Sequence, residues 1–341
     1  MSNIVDVCKL AGVSKATVSR VINGTGQVKK STQDAVKAAM EQLGYRPNSL
    51  AQALARKETN SIGLVISDYE GVYFGTLLKQ ASASAEQAHK ELIITDGHND
   101  SEREYEAILR LQDRRCDAIV LYSRKISIEQ LQTLKQQLKV PLVLINRELT
   151  DPIFHTVAFD QAGTISMMIN HLISYGHRKI ACITGPLNTP TSQARFAAYQ
   201  DTLKQYAIPF NPNLVKNANY GLQDGYDACQ ELIESNIPFS AVLAFNDEMA
   251  LGALKALTEA GIRVPEQVSI AGIDNNPMTQ FSHPAISTID LPVKEVTEHA
   301  IKTALNLAAG KTCPFSSQYK GTLIQRDSVL PFHSNQNWLT L

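Results

Sequence analysis

Lys15, Ala16, Thr17, Ser19 and Arg20 gather on one side of a short stretch whose other side is Val18, Val21 and Ile22. A small, hydroxylic and basic face of this kind suits the floor of a DNA major groove, where Arg and Lys meet guanine edges and hydroxyls meet phosphates. In that geometry Lys15, Ala16 and Arg20 face base edges, while Thr17, Ser19 and Asn23 position the backbone. A second group of chemically able residues stands at the ends of apolar runs further along. It comprises Asp68, Tyr73, Phe74, Asp96, Tyr122, Ser123, Asn146 and Arg147, then Thr191, Arg195, Tyr220, Asn246 and Asp274. Carboxylates, amides and cations offer the donors and acceptors that sugar hydroxyls need, and the C–H face of a pyranose packs on aromatic rings. Plainer roles compete: Asn246 and Asp274 as turn caps, Tyr220 as core, Asp247 as an N-cap alone.

The first group needs two short helices at a tight turn. Asn3 can cap the first helix, with Asp6 three residues later, and Val7, Leu10 and Ala11 fall on one face. Gly12 supplies the turn and Ser14 caps the second helix. Ser31-Thr32-Gln33-Asp34 reads as the start of a third, closed over the others by Val36, Ala39, Met40 and Leu43 and ended by Gly44 and Pro47. Ser49–Ala55, after Asn48, is one or two turns of helix at most and is marginal alone in water. Such a segment is suited to folding against DNA or a second copy.

The second group needs buried strands whose carboxyl ends converge. Apolar runs at Ile62–Ser67, Leu92–Asp96, Ala118–Ser123 and Pro141–Asn146 alternate with helical spacing near 75–90, 101–113 and 127–137. A second series runs Lys179–Thr184, Asn213–Tyr220, Ala241–Asn246 and Val268–Asp274, with helices near 161–175, 191–206, 222–235 and 247–260. This alternation predicts an α/β body of two doubly wound parallel sheets, with a ligand in the cleft where strand ends face each other.

The run Asp6-Val7 through Asn23, with Gly44-Tyr45-Arg46-Pro47-Asn48 and Ala51-Gln52-Ala53-Leu54-Ala55, resembles the LacI/GalR family of bacterial repressors, and the likeness extends to about residue 330. Tyr73-Phe74-Gly75, Thr95-Asp96-Gly97-His98, Arg115-Cys116-Asp117-Ala118, Ile145-Asn146-Arg147 and Pro190-Thr191-Ser192 resemble its galactose and β-glucoside branch. The resemblance implies a helix-turn-helix head at 1–47, a hinge helix and linker at 48–60, and a periplasmic-binding-protein-like body at 61–332 with a tail at 333–341. Within the body it implies one subdomain of about 61–160 and 291–320 and another of about 161–290 and 321–332, the chain recrossing near Ser287–Pro292. Val293–Ala309 then reads as a helix and Tyr319–Arg326 as a final strand crossing back. The same resemblance adds Tyr45, Asn48 and a minor-groove wedge, Leu54, to the DNA-binding residues. It places Arg195, Asn246 and Asp274 among polar effector contacts, Tyr220 as the stacking ring and Phe74 as a pocket wall. Asn146 and Leu291 stand where a lactose-binding member has acidic and glutamine contacts, which argues against lactose-like specificity. The implied partners are a palindromic operator, a small sugar or glycoside and a second copy of the chain; no cofactor is implied. After Pro331 there is no long heptad extension, so a dimer is expected.

Composition agrees. The net charge of −1 conceals nine Lys/Arg against four Asp/Glu in residues 1–60, and an acidic excess in the remainder. A small basic module on an acidic body suits a DNA reader with a sensor. Cys8, Cys116, Cys182, Cys229 and Cys313 are scattered, with no metal-ligand spacing, and are expected to be reduced. No apolar run approaches membrane length and no leader peptide is evident, so a cytoplasmic protein is expected. Gly24–Ser31 mimics a phosphate loop but lacks the glycine before lysine and a preceding strand. No G-x-G-x-x-G follows a strand, and there is no H-x-x-x-H pair or G-x-S-x-G elbow. A sugar-binding protein or an enzyme on the same body is the alternative, and DNA binding separates it from a regulator.

Overall fold

The computed structural model describes residues 2–45, 60–149 and 151–332. In the head, α1 (Ile4–Ala11) opens with a capping box: the Asn3 side chain accepts from the Val5 and Asp6 amides, and Asp6 accepts from the Asn3 amide at 2.9 Å. Gly12, at φ 65°, ends it in the left-handed region that glycine adopts without strain. Ser14 caps α2 (Lys15–Asn23) by accepting from the Thr17 amide at 3.2 Å. α3 (Lys30–Gln42) packs across both, and Val7, Val18, Val36 and Ala39 form a small core. Two expectations fail here. Leu10 is 46% exposed, because three short helices need only a narrow stripe of α1. Ser31 lies inside α3 rather than capping it: the Thr32 and Gln33 amides bond the Lys29 carbonyl, and the Gln33 side chain donates to Val28 O. The expected hinge helix, with Asn48 and Leu54, lies outside the described residues, as does the tail.

The body contains two parallel sheets. The first has the order β11-β5-β4-β3-β1-β2, from β1 (Ser61–Ile66), β2 (Glu91–Asp96), β3 (Ala118–Tyr122), β4 (Leu142–Ile145), β5 (His155–Phe159) and β11 (Ser316–Tyr319). Its connecting helices are α4 (Gly71–Gln87), α5 (Ser101–Asp113) and α6 (Ile128–Gln137). The second sheet has the order β7-β6-β8-β9, from β6 (Ile180–Thr184), β7 (Val215–Asn217), β8 (Ala241–Ala244) and β9 (Ser269–Ala271). With it go α7 (Gln161–Ser174), α8 (Pro190–Gln205), α9 (Leu222–Glu234), α10 (Asp247–Glu259) and the short α11 (Met278–Phe281). Strands β1, β3, β4, β6 and β8 are buried along their whole length, which is why they read as continuous apolar runs. Along α7, Ile165, Met168, Ile169, Leu172 and Ile173 recur at helical spacing and are buried, each contributing about 1.5–3 kcal/mol.

The sheets are joined where β5 runs into α7, where β10 (Thr288–Asp290) leads to α12 (Val293–Ala308), and where β11 turns into β12 (Thr322–Ile324). β10 and β12 pair antiparallel. The single final strand expected over 319–326 is thus two strands broken at Gly321, where a Cβ would stand 2.4 Å from Ile289 Cγ2. The strand expected over 213–220 shrinks to β7, since its last residues turn back into the cleft. β5 was not expected at all.

Candidate functional site

On the head, Lys15, Ala16 and Arg20 are exposed along α2, and Thr17, Ser19 and Asn23 are half-buried beside them. Asn23 donates to Ser19 Oγ at 3.2 Å and Thr17 shares a 3.0 Å bond with Ser14, so the polar row is held by its own neighbours. No acidic residue lies in the first turn of α2, leaving its positive end open to phosphate. Tyr45 is half-buried against the head core.

In the body, a cavity of about 650 Å³ opens at the carboxyl ends of both sheets. Tyr73, Phe74, Tyr122, Asn146, Thr191, Arg195, Tyr220, Asn246 and Asp274 all line it, as do Asp68 and Leu291. Asp96, Ser123 and Arg147 do not. Asp96 accepts from the His98 amide, and Ser123 and Arg147 brace the loop after β3.

A chain of hydrogen bonds crosses the cleft. Asn146 donates to the Tyr122 hydroxyl at 3.0 Å and accepts from Gln161 at 2.6 Å; Gln161 in turn accepts from Arg195 Nε at 2.6 Å. Arg195 also donates to Phe245 O. Among the described residues Arg195 and Asp274 form no ion pair, so Arg195 is held by neutral partners. Tyr73, Phe74 and Tyr122 meet edge to face, with centroids 5.1–5.9 Å apart. Across from them the Tyr220 hydroxyl bonds Ser192 at 2.6 Å, and its carbonyl accepts from Asn246. Asn146, Tyr220 and Asp274 sit at φ 61°, 71° and 106°. Non-glycine residues in that region store strain, which persists where the surroundings hold a side chain in place.

Burial pushes the Asp274 carboxyl up to about 7; Arg195 and Arg124 pull it down, and Glu248 raises it. Glu248 is itself raised, by burial and by Asp68 and Glu70. Asp247 departs from expectation. Asn246 is the N-cap of α10, accepting from the Met249 amide at 3.0 Å. The buried Asp247 carboxylate instead accepts from Thr288 Oγ1 and the Asn276 amide, both at 2.7 Å, tying α10 to the crossover strand β10.

Sequence reasoning missed Arg124 and Gln161. Arg124 lies two residues past β3, with its guanidinium 5.4, 5.9 and 5.0 Å from the Phe74, Tyr122 and Tyr220 rings. The strand-end rule reaches it if extended one residue beyond Ser123. Gln161 follows β5, the strand that was not anticipated.

Gly185 gives a direct test of the pocket wall, because a Cβ there would fall 2.1 Å from Tyr220 Cζ. Gly185→Ala is expected to cost about 1–3 kcal/mol through the displaced ring. Affinity for a ligand of the cleft, by calorimetry, should fall while the head keeps its fold; unchanged affinity would remove Tyr220 from the binding surface.

A head that presents a basic helix face, carried on a two-lobed body with a polar and aromatic cleft, defines a ligand-responsive DNA-binding regulator. The chain belongs to the lacI family of bacterial regulatory proteins: that family description matches residues 3–48, and a periplasmic binding protein-like domain matches residues 169–329. It is 39% identical over 332 residues to the HTH-type transcriptional regulator AscG of Escherichia coli K12, covering 97% of this chain and 99% of that one. It is 34% identical to GalR of the same organism, with 96% of each chain covered. A crystal structure of the lac repressor dimer bound to operator and the anti-inducer ONPF superposes with a TM-score of 0.89 at 25% identity, covering 96% of this chain and 99% of that one. These relatives are regulators, not enzymes. Among the described residues no helix is long and apolar enough to cross a membrane.

Proposed function

We propose that this chain is a dimeric repressor of a sugar or β-glucoside utilisation operon. It reads a palindromic operator with paired α2 helices and is controlled by a small carbohydrate bound between two body subdomains. The observation that carries the reading is the cavity whose rim is carboxylate, amide and guanidinium and whose walls are aromatic. Asp274, Asn246, Asn146, Thr191 and Arg195 are its hydrogen-bonding set, and Tyr220, Phe74, Tyr73 and Tyr122 its ring contacts. The division of the body is the one expected above, with 61–160 and 291–320 as one lobe and 161–290 and 321–332 as the other. Acting on the chromosome, the protein works in the cytoplasm. Lys15, Ala16 and Arg20 read bases; Thr17, Ser19, Asn23, Tyr45 and Asn48 hold the backbone; Leu54 wedges the central minor-groove step. A mobility shift with a palindromic operator and a panel of mono- and disaccharides and β-glucosides tests the whole. A discrete complex altered by one class of sugar is expected. Equal binding to random DNA, or indifference to every sugar, would overturn the proposal.

Leu54→Ala should weaken operator binding while sugar binding to the same protein stays intact; unchanged operator affinity would remove the wedge. Phe281, 78% exposed, and Met278, 60% exposed, share α11 and are suited to meeting a second copy. Phe281→Asp should shift the sedimenting species towards monomer and weaken operator binding; an unchanged dimer would move the interface elsewhere.

A further inference from the structure

We infer that Arg124 is an internal occupant of the effector cleft: its guanidinium takes the aromatic surface that a sugar ring must use, and so latches the two lobes together. The inference rests on the sugar reading above for the identity of the competitor, but not for the latch.

Arg124 leaves the first sheet just after β3, yet the ring nearest to its guanidinium is Tyr220, from the loop after β7 in the second sheet. Phe74 and Tyr122 complete a three-sided aromatic box around the same cation. A guanidinium over ring faces in a partly desolvated cleft is a favourable cation–π arrangement. Both ends of the contact are fixed. On one side Ser123 donates to the buried carboxylate of Glu104 and accepts from the Lys125 and Ile126 amides, while Arg147 donates to Ile126 O. On the other, Ser192 holds the Tyr220 hydroxyl, and the ring lies flush against Gly185. A pyranose stacking on Tyr220 needs the surface the guanidinium covers, so the two compete. Competition of this kind selects: an effector must offer the rings enough apolar face to displace a cation, and apparent affinity is lowered by the fraction of protein in the latched state.

The test compares full-length wild type with Arg124→Met, which keeps the stem and removes the charge, and with Arg124→Lys, which keeps the charge. Melting curves and operator affinity establish that each folds. The first readout is amide hydrogen exchange without ligand, in peptides spanning 68–76 and 218–224. Arg124→Met should exchange roughly threefold or more faster in both, with Arg124→Lys between it and wild type. Exchange equal to wild type overturns the latch. The second readout is calorimetry with methyl β-D-glucopyranoside, methyl β-D-galactopyranoside and cellobiose. Whichever binds wild type should bind Arg124→Met roughly three- to tenfold tighter. Weaker binding would make Arg124 a hydrogen-bond donor to the sugar and overturn the competition. If none of the three binds wild type, the sugar reading loses its support, and the exchange rates still decide the latch.

Discussion

Asp274→Asn is expected to lower sugar affinity by about 1.5–3 kcal/mol, roughly ten- to a hundredfold, while operator binding without sugar is retained. The product is a repressor that no longer responds. The carboxylate lines the cleft, takes no ion pair from Arg195, and is held at φ 106°. Burial pushes its carboxyl up to about 7. Sugar hydroxyls donate best to the ionised form, so binding should release a proton and the wild-type affinity should rise with pH, by about tenfold between pH 6 and 8. The amide substitution, which cannot ionise, should abolish that slope. The folded stability has the opposite sign. A carboxyl raised above its unfolded value carries more protons in the native state, so the ligand-free protein should lose stability as pH climbs from about 4 through about 7. Calorimetry and melting curves across this range, with and without the substitution, measure both slopes. Unchanged sugar affinity in Asp274→Asn, or a flat wild-type profile, would remove Asp274 from the effector site.

Arg20→Ala should cost about 1–3 kcal/mol on the cognate operator and much less on random DNA. Arg20 is exposed on α2, and its side chain lies 3.5 Å from where a Cβ on Gly26 would stand, so the loop before α3 supports its stem. An arginine aimed at base edges carries sequence information; one aimed at phosphate carries charge alone. Competition binding against shuffled duplexes at fixed salt separates them. Equal losses on both DNAs, with a shallower salt dependence, would make Arg20 a backbone contact.

The head was legible because each of its signals is local. Asn3 with Asp6, Gly12 and Ser14 act over a few residues, and the folded chain uses them as their chemistry predicts. Ser31 misled because a capping residue marks a helix start only if the backbone begins there, and Lys29 O takes the first bonds instead. Asn246 and Asp247 show the same limit. Either type can cap, and only the packing of Asp247 against Thr288 and Asn276 decides between them. In the body, strands separated by helices could be read from alternation. β5 could not, because among the described residues it follows β4 with no helix between them, and Gln161 was missed with it. Arg124 was hidden for another reason: its partner ring, Tyr220, is 96 residues away in sequence and meets it only through the folding of both sheets.

The late crossovers carry a consequence for the gene. β11 completes the first sheet beside β5, Ser328 bonds Ile270 on both sides, and Leu330 O and the Phe332 amide bond His177 and Tyr175. The first lobe is therefore unfinished until its encoding messenger has been read to codon 319, and the second until about codon 332. A premature stop before codon 316 strips an edge strand from one lobe and the closing segment from the other. Such nonsense alleles should behave as complete losses, leaving the controlled operon permanently open, whereas lesions of equal length in an ordinary terminal appendage would pass unnoticed.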